Sequence, residues 1–272
     1  MSEQDIINNT LSLNTVDTMC RDLARLGVSE GETLLVHSSL SSLGWVCGGP
    51  QAVVHALRKA VGGQGTLVMP AHSGDWSDPA EWEKPPVPKE WIQVIYDNMP
   101  AYEPEITPTR GMGSIAELFR AYPGTMRSGH PQVSFCANGK LAGQITEGHP
   151  LTPQMGMASP LGKLYALKAR ILLLGVGYEN CTSFHLAETL WAKMPVKRMG
   201  TAMLEDGERV WKWFEDFEYN SEDFDQLGTA FEESPAGSCI SKGKVGNAEC
   251  RLFDLKTGVD FAKEWLAQNR KD

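Results

Sequence analysis

The chain has 272 residues, 42% of them hydrophobic and 22% charged, with a formal net charge of −9. That is the make-up of an ordinary globular protein with room for one large domain or two small ones. No apolar run approaches the ~20 residues of a membrane span, and the polar residues 1–9 do not read as a secretory leader. Six scattered cysteines (Cys20, Cys47, Cys136, Cys181, Cys239 and Cys250) include no Cys-x-x-Cys pair, so neither a zinc site nor a disulfide framework is expected. Reduced thiols in a cytoplasm fit best.

In chain order, residues 15–26 place Val16, Met19, Leu23 and Leu26 at helical spacing, stopped by Gly27. Thr33-Leu34-Leu35-Val36-His37 reads as a short buried strand, residues 51–60 as a helix, and Thr66-Leu67-Val68-Met69 as a second strand. Residues 78–108 hold seven of the sixteen prolines, with a helix predicted over 89–98; such an excursion is either a binding wall or a surface insertion. Arg170-Ile171-Leu172-Leu173-Leu174 is a third strand, followed by a helix over 184–193. Further on, strands at 202–204, 209–214 and 250–254 are joined by turns at Asp206-Gly207 and Gly246-Asn247, and a helix closes the chain at 259–269. Apolar runs without alternation, separated by helices, imply a parallel or mixed sheet covered on both faces, with antiparallel β structure later.

The charge is local. Residues 205–233 carry eleven acids against two bases, a balance of −9 that equals the charge of the whole chain. Such a field repels nucleic acid and attracts small cations; a solvated face would satisfy it equally.

Ligands of open α/β sheets bind beyond the carboxyl ends of the strands. All three buried strands end in polar residues: His37-Ser38-Ser39-Leu40-Ser41-Ser42, Pro70-Ala71-His72-Ser73-Gly74-Asp75, and Gly175-Val176-Gly177 leading to Thr182-Ser183-Phe184-His185. The serine turn offers hydroxyls and backbone N–H groups to a phosphate, or simply caps a helix; no Gly-Lys-Ser/Thr of a Walker loop is present. With Thr182 or Ser183 as N-cap, His185 falls in the first turn of its helix, where the dipole disfavours a second positive charge and keeps the ring able to accept a proton. Glu188, three residues on, shares its face and can orient the ring. A packing role for His185 is the plain alternative. His185-x-x-Glu188 has no third ligand beside it, so no metal is expected. Cys181 is a conceivable acyl acceptor, although most free cysteines are small buried hydrophobes. The absence of Gly-x-Ser-x-Gly argues against a serine hydrolase.

At these same residues the chain resembles the aminoglycoside 3-N-acetyltransferase family, and most nearly its Bacillus-type members. The matching blocks are Leu35-Val36-His37-Ser38-Ser39-Leu40 with Gly44, Val68-Met69-Pro70, Asp75 with Ser77-Asp78-Pro79, Thr107-Pro108-Thr109-Arg110-Gly111-Met112-Gly113, His130-Pro131-Gln132-Val133-Ser134-Phe135, Ser159-Pro160-Leu161-Gly162-Lys163-Leu164-Tyr165, and Leu173-Leu174-Gly175-Val176-Gly177 leading to Thr182-Ser183-Phe184-His185-Leu186-Ala187-Glu188. Ala71-His72-Ser73-Gly74 and Cys181 depart from the resistance enzymes.

The resemblance implies a three-layer α/β/α sandwich around a mostly parallel, mixed sheet with a C-terminal antiparallel portion, unlike the GNAT acetyltransferases. It implies one domain over 1–272, with a CoA-binding core at 15–200 and an acidic, β-rich, substrate-side region at 201–272. It implies a metal-free transfer of acetyl from acetyl-CoA to the 3-amine of a 2-deoxystreptamine aminoglycoside, by a monomer or homodimer. Carried onto this chain, His185 is the general base, Glu188 supports it, and Thr182 donates to the developing oxyanion. His37, Ser38, Ser39, Leu40 and Ser41 hold pantetheine and pyrophosphate, Arg110 grips a CoA phosphate, and Met112, Ser114, Phe135, Ser159 and Leu161 line the same tunnel. Asp75 is a catalytic or substrate-amine carboxylate. Beside such a site the acidic segment becomes a wall for a polycation, with Glu215, Asp216, Glu218 and Glu222 as the leading contacts. Acetylation of another small amine, or CoA binding without catalysis, are the alternatives.

Overall fold

Alternation along three short strands builds the sandwich. Leu34 and Val36, Leu67 and Met69, and Leu172 and Leu174 point into one core, while Leu35, Val68, Ile171 and Leu173 point into a second core on the other face. The computed structural model describes residues 2–191 and 193–270. Its elements are α1 (Glu3–Asn8), α2 (Val16–Leu26), β1 (Thr33–Ser38), α3 (Gly49–Val61), β2 (Thr66–Pro70), α4 (Ile92–Asn98), α5 (Gly113–Arg120), β3 (Met126–Arg127), β4 (Phe135–Gly139), α6 (Ala142–Thr146), α7 (Pro160–Ala166), β5 (Arg170–Leu174), α8 (Phe184–Trp191), β6 (Val196–Glu205), β7 (Glu208–Phe217), α9 (Phe224–Glu233), β8 (Ser241–Val245), β9 (Ala248–Asp254) and α10 (Leu255–Asn269).

The central sheet has the order β3-β4-β2-β1-β5-β9-β8. β1 runs parallel to β2 and to β5, so the three strands read from the sequence are neighbours and their carboxyl ends lie on one edge. β4 and β9 flank them antiparallel. Helices α2, α3 and α5 pack on one face, and α7, α8, α9 and α10 on the other. The fold is the expected mixed α/β sandwich. Among the described residues no helix is long and apolar enough to cross a membrane.

Local signals explain most ends. Thr15 caps α2 in a capping box with Thr18, and Gly27 ends it at φ 105°. Met19, Leu23 and Leu26 form the buried stripe of that helix. Asp206 and Gly207, at φ 53° and 84°, make the tight turn between β6 and β7.

Four expectations change. The strand expected at 250–254 belongs to the central sheet, where β9 pairs with β5, and not to the β6–β7 ribbon. With β8, β9 and α10 in the central sandwich, the expected boundary at residue 200 does not separate an acidic, β-rich region from an α/β core. Residues 224–233, read only as acidic, form α9, whose Phe224, Leu227 and Phe231 are buried. The helix expected over 184–193 runs to Trp191; residue 192 of that span lies outside the described residues.

Candidate active site

The carboxyl ends of β1, β2 and β5 open into two connected clefts. The larger, about 780 Å³, runs past Ser38, Ser39, Leu40 and Ser41 and is walled by Trp45, Val46, Met112, Ser114 and Ile115. The smaller, about 220 Å³, shares Ser38, Gly111, Met112, Val176 and Asn180 with it and reaches His37, His72, Thr182 and His185. Two helices start in the larger cleft, α3 at Gly49 and α5 at Gly113. Neither has a side-chain cap, and Gly48, Gly49, Gly111 and Gly113 all take positive φ there. Uncapped N–H groups at the positive ends of two helices suit an anion.

His185 stands in the first turn of α8, its backbone N–H donating to the Thr182 carbonyl at 3.1 Å. Its Nδ1 is 2.5 Å from Oε2 of Glu188, which is fully buried. Oε1 of Glu188 accepts from the Asn220 N–H at 3.2 Å and from the guanidinium of Arg270. Arg270 in turn grips Asp223 through Nε and Nη2, at 2.7 and 2.6 Å. The ring thus turns Nδ1 toward a carboxylate held from behind, and it lines the smaller cleft. Tyr219 and Phe224 pack against the ring, with centroids 5.4 and 4.8 Å away.

Two further histidines border this cleft. His37, at the end of β1, lies with Nε2 3.2 Å from the Thr182 hydroxyl. Burial, reinforced by His185, lowers its pKa to about 3, so it stays neutral. If that nitrogen donates, the Thr182 hydroxyl keeps its own hydrogen for a ligand. His72 is likewise pushed to about 3 by burial, then by its histidine neighbours and Arg127. Its Nε2 is buried without a protein partner, and its ring is edge-on to Phe135 at 5.5 Å. His72 also lines a pocket of about 340 Å³ whose walls include Asp78, Glu81, Gln132 and Gln154. That pocket therefore adjoins the His185 cleft across one side chain.

Other predicted site residues lie elsewhere. Arg110 does not line the large cleft; its guanidinium pairs with Asp75 at 3.0 Å, and both border a separate pocket beside Trp82 and Lys84. Neither lines the large cleft or the cleft of His185. Phe135, Ser159 and Leu161 are fully buried and do not line the large cleft: Phe135 supports His72, and Ser159 caps α7 by accepting from the Leu161 N–H at 3.2 Å. Asp216 is only 3% exposed, and its carboxylate accepts from the backbone N–H groups of Gln154 and Phe217, each at 2.8 Å. Glu215, Glu218 and Glu222 are exposed, and among the described residues they line none of these clefts. Elsewhere in the acidic segment, Glu205 pairs with Lys212, Asp223 with Arg270, and Glu232 with Arg251 and Lys242. The segment is thus spread over a ribbon, a turn and a helix, and Glu205, Asp216, Asp223 and Glu232 each have partners of their own. Cys181 is buried, and burial lifts its thiol to about 12, which removes the thiolate an acyl acceptor needs.

Sequence reasoning missed His72 as a site residue, Arg270, and the acids Asp78 and Glu81. Only Asp78 stood within a matching motif. The two uncapped helix starts were foreshadowed by Gly48-Gly49-Pro50 and Gly111-Met112-Gly113.

The edge of the parallel strands thus holds a histidine paired with a buried carboxylate, beside a cleft where two helices begin uncapped. The family model for aminoglycoside 3-N-acetyltransferase matches residues 35–267. The chain belongs to that family and is an acetyltransferase. It is 47% identical over 265 residues to the SPbeta prophage-derived aminoglycoside N(3')-acetyltransferase-like protein YokD of Bacillus subtilis, covering 97% of this chain and 96% of that one. It is 34% identical to aminoglycoside N(3)-acetyltransferase VII of Streptomyces paromomycinus, covering 98% and 96%. The crystal structure of YokD superposes with a TM-score of 0.95 at 46% identity, covering 98% of each chain. AAC-IIIb in binary complex with CoASH matches with a TM-score of 0.82 at 30% identity, covering 94% and 97%. AAC-VIa bound to sisomicin matches with 0.81 at 29% identity, covering 96% and 100%.

Proposed function

We propose that this chain transfers the acetyl group of acetyl-CoA directly to the 3-amine of a 2-deoxystreptamine aminoglycoside, with His185 as general base. The observation that carries the reading is the His185 ring, held by buried Glu188 in the small cleft that shares walls with the large cleft on one side and His72 with the pocket of about 340 Å³ on the other. The relatives named for aminoglycoside acetylation, and the neighbours bound to CoASH and to sisomicin, supply the two substrate classes.

Acetyl-CoA brings an activated thioester whose acetyl carbon takes the amine nitrogen as CoA leaves as its thiol. The large cleft suits it: apolar Leu40, Trp45, Val46, Met112 and Ile115 fit a pantetheine arm, and the serine hydroxyls fit its amides. The starts of α3 and α5 replace Arg110 as the expected phosphate contacts. Thr182, with its hydroxyl backed by neutral His37, donates to the carbonyl oxygen as charge builds there.

An amine of pKa roughly 7 to 9 is largely protonated near neutral pH. It becomes a nucleophile once its ammonium proton is lost to solvent, and His185 accepts the second proton, the one that leaves the neutral amine's nitrogen as the C–N bond forms. Glu188 orients the ring and stabilises the imidazolium, which then returns the proton to the departing sulfur. The acceptor lies in the His72 pocket, with Asp78 and Glu81, the latter exchanging its Lys197 partner at 3.2 Å for a ligand ammonium, and with His72 Nε2 taking one polar contact. Cys181 takes no acetyl group.

The test is direct. Purified protein is mixed with acetyl-CoA and a panel of amines: gentamicin-like and kanamycin-like aminoglycosides, and nucleotide amines. Thiol release is measured, and the product is located by mass spectrometry and NMR. Acetylation at the 3-amine supports the reading; release only with another amine class overturns the acceptor, and CoA binding without release from any amine overturns catalysis.

A further inference from the structure

We infer that Arg270 is a positioning residue for the His185–Glu188 pair, so that the residue following the last helix sets the geometry and protonation of the base; this rests on His185 being that base. The guanidinium is clamped at three points. Nε and Nη2 bind the two Asp223 oxygens at 2.7 and 2.6 Å, and Nη2 also donates to the Asn220 carbonyl at 2.6 Å. Only Nη1 remains, and it meets Oε1 of Glu188. Glu188 is fully buried, so its charge needs a partner. With Oε1 taken by Arg270 and the Asn220 N–H, Oε2 is the oxygen left for His185.

A bidentate grip on one carboxylate leaves the fork little freedom to rotate. Asp223, drawn from the acidic segment, thus fixes the fork that in turn fixes Glu188. Asp223 is sited for this by the turn that leads into α9, and Arg270 by the end of α10. The groups facing the pair are His37 and His72 across the cleft, Glu179 on its rim, Tyr219 against the ring, and Asp223 behind Arg270. His37 and His72 are neutral in the working range, and Arg270 is the cation in direct contact with Glu188.

Removing that cation makes the pair take up its proton at higher pH. For Arg270→Gln the expected result is a kcat lower by on the order of 10- to 100-fold, with both KM values within about twofold. The acid limb of the rate profile moves up by roughly one pH unit. Arg270→Lys keeps the charge, so its acid limb stays in place while its kcat falls between the two. In a Glu188→Gln background, Arg270→Gln adds no further loss.

The closing experiment reads the ring without turnover. ¹⁵N-histidine NMR of the intact protein, with the His185 signals assigned by His185→Gln, follows the ring through a pH titration in wild type and in both Arg270 variants. An upward displacement in Arg270→Gln that Arg270→Lys restores supports the inference. An unmoved titration with unchanged kcat in a folded Arg270→Gln protein overturns it; if that variant does not fold, a displaced acid limb in Arg270→Lys overturns it instead. If His185→Gln retains turnover, the base assignment fails, while the NMR titration still reports on Arg270 separately.

Discussion

Glu188 is buried three residues after His185, and its Oε2 lies 2.5 Å from the ring's Nδ1. The helix makes this pair, since i and i+3 share a face. The fold then removes water from the carboxylate, and the ring lines the smaller cleft. Glu188→Gln should lower kcat on the order of 100-fold with little change in either KM, because it removes the charge that stabilises the imidazolium. Steady-state kinetics check this; a raised KM with unchanged kcat would assign Glu188 to substrate binding.

Thr182 and His37 form the second relationship at the site. Thr182→Val keeps the shape and removes the hydroxyl, so kcat should drop by about 10² to 10³ if it serves the oxyanion. Affinity for CoA, measured by calorimetry, should be preserved. Weaker CoA binding with normal kcat would place the hydroxyl on the carrier instead.

His72 tests the acceptor side. Its Nε2 has no protein partner, and His72→Phe removes that nitrogen while keeping a ring against Phe135. Loss of one neutral hydrogen bond is worth about 1 kcal/mol, or roughly fivefold in the acceptor KM. The KM for acetyl-CoA should hold. An unchanged acceptor KM would mean that His72 only fills space.

Much of this site was legible in the sequence because it depends on local signals. Apolar runs at 33–37, 66–69 and 170–174 revealed the buried strands, and helical spacing joined His185 to Glu188. Contacts between distant segments were not legible. Arg270 meets Glu188 across 82 residues and Asp75 meets Arg110 across 35, and neither spacing carries a local pattern. β4 was missed because Phe-Cys-Ala-Asn-Gly has no β-branched residue; it is held by pairing with β2. The acidic segment misled for a related reason. Its charge was countable, yet strand alternation buries Asp216 and exposes Glu215, and α9 hides its apolar stripe among acids.

Buried neutral histidines set the acid stability. His37, His72 and His130 are lowered from 6.5 to about 3, and His149 to about 4, each chiefly by burial. The folded-state values are depressed, so the unfolded chain binds more protons between these limits. The stability from keeping these rings neutral is complete above pH 6.5 and falls as the pH drops toward 4. Each ring contributes a slope of about 1.4 kcal/mol per pH unit inside its window. Urea unfolding at several pH values should show a steady loss below 6.5; a flat profile down to 4.5, where carboxylates take over, would contradict the burial argument.

The contact between α9 and the site loop is tight at Gly228. A Cβ there would sit 2.0 Å from Cγ of the Tyr178 ring. Gly228→Ala should cost about 1–3 kcal/mol in denaturant unfolding, and a change under roughly 0.5 kcal/mol, the usual surface value, would show that the ring gives way freely.

The central claim is that His185 takes the amine proton. The most direct measurement is turnover of His185→Ala with acetyl-CoA and an aminoglycoside, beside calorimetric CoA binding by the same protein. The account predicts CoA affinity close to wild type and turnover lower by about 10² to 10⁴. Near wild-type turnover in that variant would contradict it.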